Sequence, residues 1–145
     1  MTKLHTSDLY AADGRHEYSV DDLRPYFLGE SGLPMPIPHA DLIHIAPARR
    51  GTATIGYSFV SDLGYSLDWE RYDAQGQRRP TMMSVWKKNM MGIWKENPDQ
   101  SVFPVGSLVP GEVAIRVIED FARNPEVLSD AVEWVDETEL DWPDP

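Results

Sequence analysis

"VPGEVAIRVIEDFARNP" (residues 109–125) is the stretch that decides the fold class. Pro110 suits the first turn of a helix, where its missing N–H would have no partner in any case. Glu112 and the nearby Ser107 suit the positive end of the helix dipole. Val113 or Ala114, Val117, Ile118 and Phe121 recur at helical spacing and form one apolar stripe, while Arg116, Glu119, Asp120 and Arg123 face away. Asn124-Pro125 ends the pattern. Such a helix must lay its stripe on another element, and the residues upstream read as a sheet.

Within "TATIGYSFVS" (52–61), Ile55, Tyr57 and Phe59 share one face by the two-residue period of a strand. "YSLDWERYD" (65–73) sets Tyr65, Leu67, Trp69 and Arg71 against Ser66, Asp68, Glu70 and Tyr72. "DLIHIA" (41–46) alternates in the same way, and "DAQGQ" is a hairpin loop in which Gly76 can take a positive φ. "TMMSVWKK" and "MGIWKE" are expected to continue the meander, with "SVFP" adding an edge and "AVEWVD" (131–136) returning as a last strand. Upstream, "SVDDLRPYFLG" reads as a short helix: Ser19 as N-cap, Asp22 three residues on, Pro25 in or near the first turn, Gly29 as stop. Asp13-Gly14 marks a turn between two short strands. Pro34, Pro36 and Pro38 make "ESGLPMPIPHA" a connecting loop. The expected fold is α+β over residues 1–145: one domain, an antiparallel meander with both helices packed on one face, and an acidic extension over 137–145.

The chain has 145 residues, enough for one domain with a real core, and its 41% hydrophobic and 26% charged residues are those of a globular protein. It has no cysteine, so neither a disulfide framework nor a zinc–thiolate site is available. The N-terminus lacks the apolar run of a signal peptide, and no segment approaches the roughly 20 apolar residues that span a bilayer. A soluble cytoplasmic protein is the expectation. The net charge is −11, and all of it resides in residues 96–145; residues 1–95 balance to zero. Such asymmetry bears on partners and encounter rates. It argues against a nucleic-acid binder, which needs a basic face for phosphates, and a basic protein is the complementary partner.

The usual catalytic and nucleotide-binding patterns (GxGxxG before a helix, GxxxxGK[ST], HExxH, GxSxG) are absent. His5, His16, His39 and His44 are scattered, so no catalytic residue, metal site or cofactor is assigned. The alternative to a binding protein is a small enzyme with a pocket on the uncovered sheet face, using Asp68, Glu70 or His44. Asp68 and Glu70 stand on one side of one strand, about 7 Å apart. Trp69, Trp86 and Trp94 fall on three consecutive expected strands among Met82, Met83, Met90 and Met91. Two of these tryptophans are expected in the core, and the surplus can form an adaptable contact surface. Lys87, Lys88 and Lys95 are too few to bind nucleic acid.

The order of elements, closing in "FPVGSLVPGEVAIRVIEDFARNPEVLSDAVEWVD" (103–136), resembles the first of the Imm families, immunity proteins of bacterial polymorphic-toxin and contact-dependent inhibition systems. The likeness is best over residues 101–136. It rests on Phe103-Pro104, on Val109, Pro110, Glu112, Ala114 and Phe121 of the helix, and on Val132 and Trp134 of the strand after it. The resemblance implies an antitoxin that occludes the C-terminal domain of a cognate toxin, often a nuclease or deaminase with a basic cleft. It carries over no catalytic residues. An accessory interaction domain of a secretion system is a further alternative, and the oligomeric state is left open. The expected contact residues are Glu133, Asp136, Glu137, Glu139, Asp141 and Trp142, with Trp134 turned to the core. Trp142 has two readings: an aromatic anchor for a partner, or a side chain folded back on its own domain.

Overall fold

The structure, a computed structural model, describes residues 3–6, 17–29, 39–44, 52–60, 63–72, 75–96 and 101–143. The turn at Asp13-Gly14, His16 and the proline-rich stretch 30–38 lie outside the described residues, as do the side chains of His5, His39 and His44.

The long strands expected from their alternation pair with each other. β4 (Thr52–Val60) and β5 (Gly64–Tyr72) run antiparallel with Ile55 opposite Trp69, Tyr57 opposite Leu67 and Phe59 opposite Tyr65. One face of this pair is therefore apolar across both strands. β3 (His39–His44) pairs with β4, and β1 (Lys3–Thr6) lies between β3 and β2 (Glu17–Ser19). On the other side of β5 come β6 (Met82–Val85) and, at the margin, β10 (Glu133–Asp136). The path β10-β6-β5-β4-β3-β1-β2 is antiparallel throughout, and β9 (Leu108–Val109) also pairs with β5.

α1 (Val20–Leu28) starts on a capping box: the Ser19 hydroxyl accepts from the Asp22 N–H at 3.1 Å, and Asp22 Oδ2 accepts from the Ser19 N–H at 2.8 Å. It ends on Gly29 at φ 67°. Pro25, expected near the first turn, sits inside the helix. α2 (Gly111–Arg123) buries Ala114, Ile115, Val117, Ile118, Phe121 and Ala122. With Leu23 and Phe27 of α1 they close over Tyr57, Tyr65, Leu67 and Trp69 in a single core. Each large side chain so buried contributes roughly 1.5–3 kcal/mol relative to exposure. The two helices are held together outside the core by Arg24, which donates to Glu119 at 3.1 Å. The α+β fold with both helices on one face is as the patterning implies.

Two expectations fail between residues 86 and 109. The segment does not prolong the meander: β7 (Trp94–Glu96) and β8 (Val102–Pro104) pair only with each other among the described residues, as a separate two-stranded sheet. Ser107 does not serve the helix N-terminus, which starts from Pro110 without a side-chain cap. Its hydroxyl is buried and donates to the Pro104 carbonyl at 2.7 Å. That leaves Ser66 as the donor in the 2.9 Å Ser66–Ser107 contact. Ser84 donates to the Ser107 carbonyl at 2.8 Å while its oxygen accepts from the Leu67 N–H at 3.1 Å. Three buried hydroxyls are thus satisfied, by one another and by backbone groups, and tie the 104–109 crossover to the sheet.

Candidate protein-binding edge

β10 is the short last strand expected from "AVEWVD" (131–136), with Trp134 between the apolar Val132 and Val135. Its register on β6 (Glu133 opposite Val85, Trp134 opposite Ser84, Val135 opposite Met83, Asp136 opposite Met82) sorts its side chains between the two faces. Met82 lies opposite Trp69, so Met82, Trp134 and Asp136 belong to the helix-covered face, and Glu133 and Val135 to the other. Trp134 packs against the core as expected, and its Nε1–H donates to the Ser129 carbonyl at 2.8 Å. Ser129 is fixed in turn by donating to Asp120 of α2 at 2.6 Å.

The described residues after β10, 137–143, are not a free extension. A 3-10 turn over 137–139 follows at once, started by the Glu137 N–H donating to the Thr81 carbonyl at 3.0 Å. Asp136 caps this turn: its Oδ1 accepts from both the N–H and the hydroxyl of Thr138, at 2.9 and 2.7 Å. Those two bonds, the hydroxyl's first, hold the Asp136 carboxyl below the usual carboxylate range. Trp142 then folds back. Its Nε1–H donates to the Glu137 carbonyl at 2.8 Å, and its ring lies 4.9 Å from that of Trp94, centroid to centroid. It nevertheless keeps 41% of its surface exposed. Of the two readings of Trp142, folding back onto the domain is the one that describes its contacts, and its outer face stays accessible.

The six expected contact residues therefore fall into three kinds of place. Glu133, Glu139 and Asp141 are exposed and point no carboxylate at a described cation. Asp136 is committed to its cap, and Trp142 to Trp94. Glu137 is half-buried on the uncovered face, beside Arg78, which pairs with Glu70. Burial raises its pKa above the ordinary value; Arg78 opposes that, and Glu70 and Asp136 add to it. A further positive charge brought to this point would favour its ionised form.

Beside the edge lies an open groove of about 420 Å³. Val85, Met91, Val135 and Leu140 give it an apolar lining, with Glu133 on the strand side and Lys88 among the other lining residues. Sequence reasoning missed this groove, because it joins residues from three separate segments of the chain. Its signals were the methionine run and Leu140 within the acidic stretch. Two further large apolar side chains, Trp86 at 42% and Ile93 at 51% exposure, stand on the segment that supplies Met91. Of the three tryptophans expected on consecutive strands, only Trp69 is a core residue, its Nε1–H donating to the Pro125 carbonyl at 3.0 Å. Trp94 is half-buried under Trp142. That is one core tryptophan where two were expected, because the chain leaves the main sheet after Val85.

On the uncovered face, Glu70 is paired with Arg78 and lies 3.5 Å from the Thr81 hydroxyl, and Asp68 also has a partner. Among the described residues, no group of three or more His, Asp or Glu side chains is arranged to hold a metal ion. No described helix is long and apolar enough to cross a membrane. Against protein-family models, curated proteins and solved structures, the chain matches none.

Proposed function

We propose that the protein is a binding protein of the immunity type, which neutralises the toxic domain of a cognate bacterial effector by covering its active or substrate-binding surface. The contact would be made by the β10 edge with its groove and the segment to Trp142. The observation that carries this reading is the pairing of an apolar groove with exposed, uncompensated carboxylates at one margin of the sheet. Interfaces of this kind combine a desolvated apolar centre with a polar rim that sets specificity and on-rate. The resemblance over residues 101–136 supports the same reading and supplies the partner class: a domain whose cleft is basic because it acts on nucleic acid.

The test is co-purification with the product of the gene immediately upstream, read together with loss of that product's toxicity. Charge reversal at Glu133, Glu139 and Asp141 avoids the packed Glu137, whose replacement by Lys would face Arg78. The triple variant Glu133→Lys, Glu139→Lys, Asp141→Lys is expected to fold normally and to bind the toxin at least about tenfold more weakly, since rim charges act through on-rate and complementarity. Full protection by a normally folded triple variant rules out this edge as the inhibitory surface.

A further inference from the structure

The backbone of β10 adds what the side chains alone do not show. The Glu137 N–H donates to the Thr81 carbonyl, and Glu137 stands one position beyond the Asp136–Met82 pair. In an antiparallel ladder the hydrogen-bonding direction alternates residue by residue. That bond therefore sets the phase: the N–H and C=O groups of Glu133 and Val135 turn toward β6, and those of Trp134 turn out of the sheet, with the Asp136 N–H beside them. Among the described residues nothing pairs with the Trp134 N–H or C=O or with the Asp136 N–H, and β10 has β6 as its one strand neighbour. An unpaired edge of this kind is a template for another strand.

We propose that β10 takes an extended segment of the partner protein as a further strand of the sheet, bonded to the backbone of Trp134 and Asp136, with apolar side chains alternating with Lys or Arg. This rests on the binding reading above and specifies how the same edge is used. Alternation sends the two sets of side chains of the incoming strand to opposite faces: its apolar positions lie over Val135 and Leu140 in the groove, and its cations turn to the face that carries Trp134 and the Asp136 carboxylate. Charge decides between this occupant and a second copy of the chain. Pairing two β10 strands would bring Glu133, Asp136 and Glu137 of both copies together, and like charges across a strand pair are destabilising.

The test exploits the backbone of Asp136, whose φ of −65° is the value proline enforces. Asp136→Pro removes the outward N–H and leaves the β6 ladder intact. Asp136→Ala is its control, because both variants lose the Thr138 cap and the charge. The probe is a short synthetic peptide of alternating valine and lysine, with its valine–glutamate counterpart, added to the full chain. Hydrogen exchange at single amides, read by NMR, is expected to slow at Trp134 and Asp136 by at least about tenfold with the lysine peptide and not with the glutamate one. Asp136→Pro should bind the lysine peptide roughly tenfold more weakly than Asp136→Ala, one backbone hydrogen bond's worth. Equal affinity of the two variants, or no protection at about 1 mM lysine peptide, overturns the proposal. Binding that instead appears as self-association on sedimentation, without peptide, assigns the edge to a second copy and overturns it too. The upstream gene product separates the two levels of the argument. If it binds and leaves both amides exchanging as before, strand addition fails alone; if it does not bind while the peptide still protects them, the toxin reading fails alone.

Discussion

Tyr65 shows how closely the core ties one side chain to pH. Its ring lies 4.6 Å from Phe27, 5.0 Å from Phe59 and 6.3 Å from Tyr57, and burial pushes its phenol up to about 12. The unfolded chain ionises this group near pH 10, so between the two values the unfolded state has lost a proton that the native state keeps. Its contribution is complete below pH 10 and is lost as pH rises through the folded value. Denaturant midpoints taken from about pH 9 to about pH 12 are expected to record a loss on the order of 2 kcal/mol from this residue. Tyr65→Phe should remove that part of the slope; an unchanged slope means the phenol is not the group responsible. Asp136 acts in the opposite sense, because its depressed carboxyl contributes above the unfolded value and ceases to as pH falls through the folded one. At this scale the sequence was partly legible. Ser19 and Asp22 announced their capping box, since both partners are local. Trp142 could not be placed from sequence, because its ring partner, Trp94, is remote along the chain.

Among the elements, the crossing of α1 and α2 is the most sharply constrained contact. A Cβ placed on Gly111 would overlap the Phe27 carbonyl, so the first turn of α2 approaches the end of α1 backbone to backbone. In an isolated helix, replacing Gly by Ala is favourable by up to about 1 kcal/mol. Here the sign should reverse. Overpacking against backbone, which cannot swing aside, costs typically about 1–3 kcal/mol, so Gly111→Ala is expected to lower the melting temperature by roughly 5 °C. A melting temperature that rises would mean the helices part without loss. The elements themselves were legible where their patterns are long: β4, β5 and α2 lie within a residue or two of their expected spans. The route between Val85 and Leu108 was not. Period-two alternation identifies a strand but says nothing of its partner, and the chain leaves the sheet there for reasons of close packing. A Cβ on Gly106 would meet the Lys87 carbonyl, and would stand 2.8 Å from the Met91 N–H nitrogen. That contact and the Ser66–Ser84–Ser107 network fix the crossover, and neither has a local sequence signature.

At the scale of the whole molecule, charge and architecture act together. The net −11 lies entirely in residues 96–145, which supply α2 with its outer Glu112, Glu119 and Asp120, the loop with Glu126 and Asp130, and the β10 edge. Part of this charge is already answered: Arg24 and Arg123 pair with Glu119, and Arg116 and Arg123 with Asp120. Glu133, Glu139 and Asp141 have no such partner among the described residues, so their field beside the groove is open to an approaching protein. Lys88, in the lining of the same groove, tempers it. An inhibitor that must reach a basic domain before that domain reaches nucleic acid gains from long-range steering, which salt screens within about 10 Å at 0.1 M. Association with the upstream gene product is therefore expected to slow at least about tenfold between about 0.02 and about 0.5 M salt, with dissociation changing far less. The Glu133→Lys, Glu139→Lys, Asp141→Lys variant should lose most of that dependence. A salt-dependent on-rate that the variant retains in full would place the steering field on α2, and a salt-independent one would mean that binding is governed by the apolar groove alone.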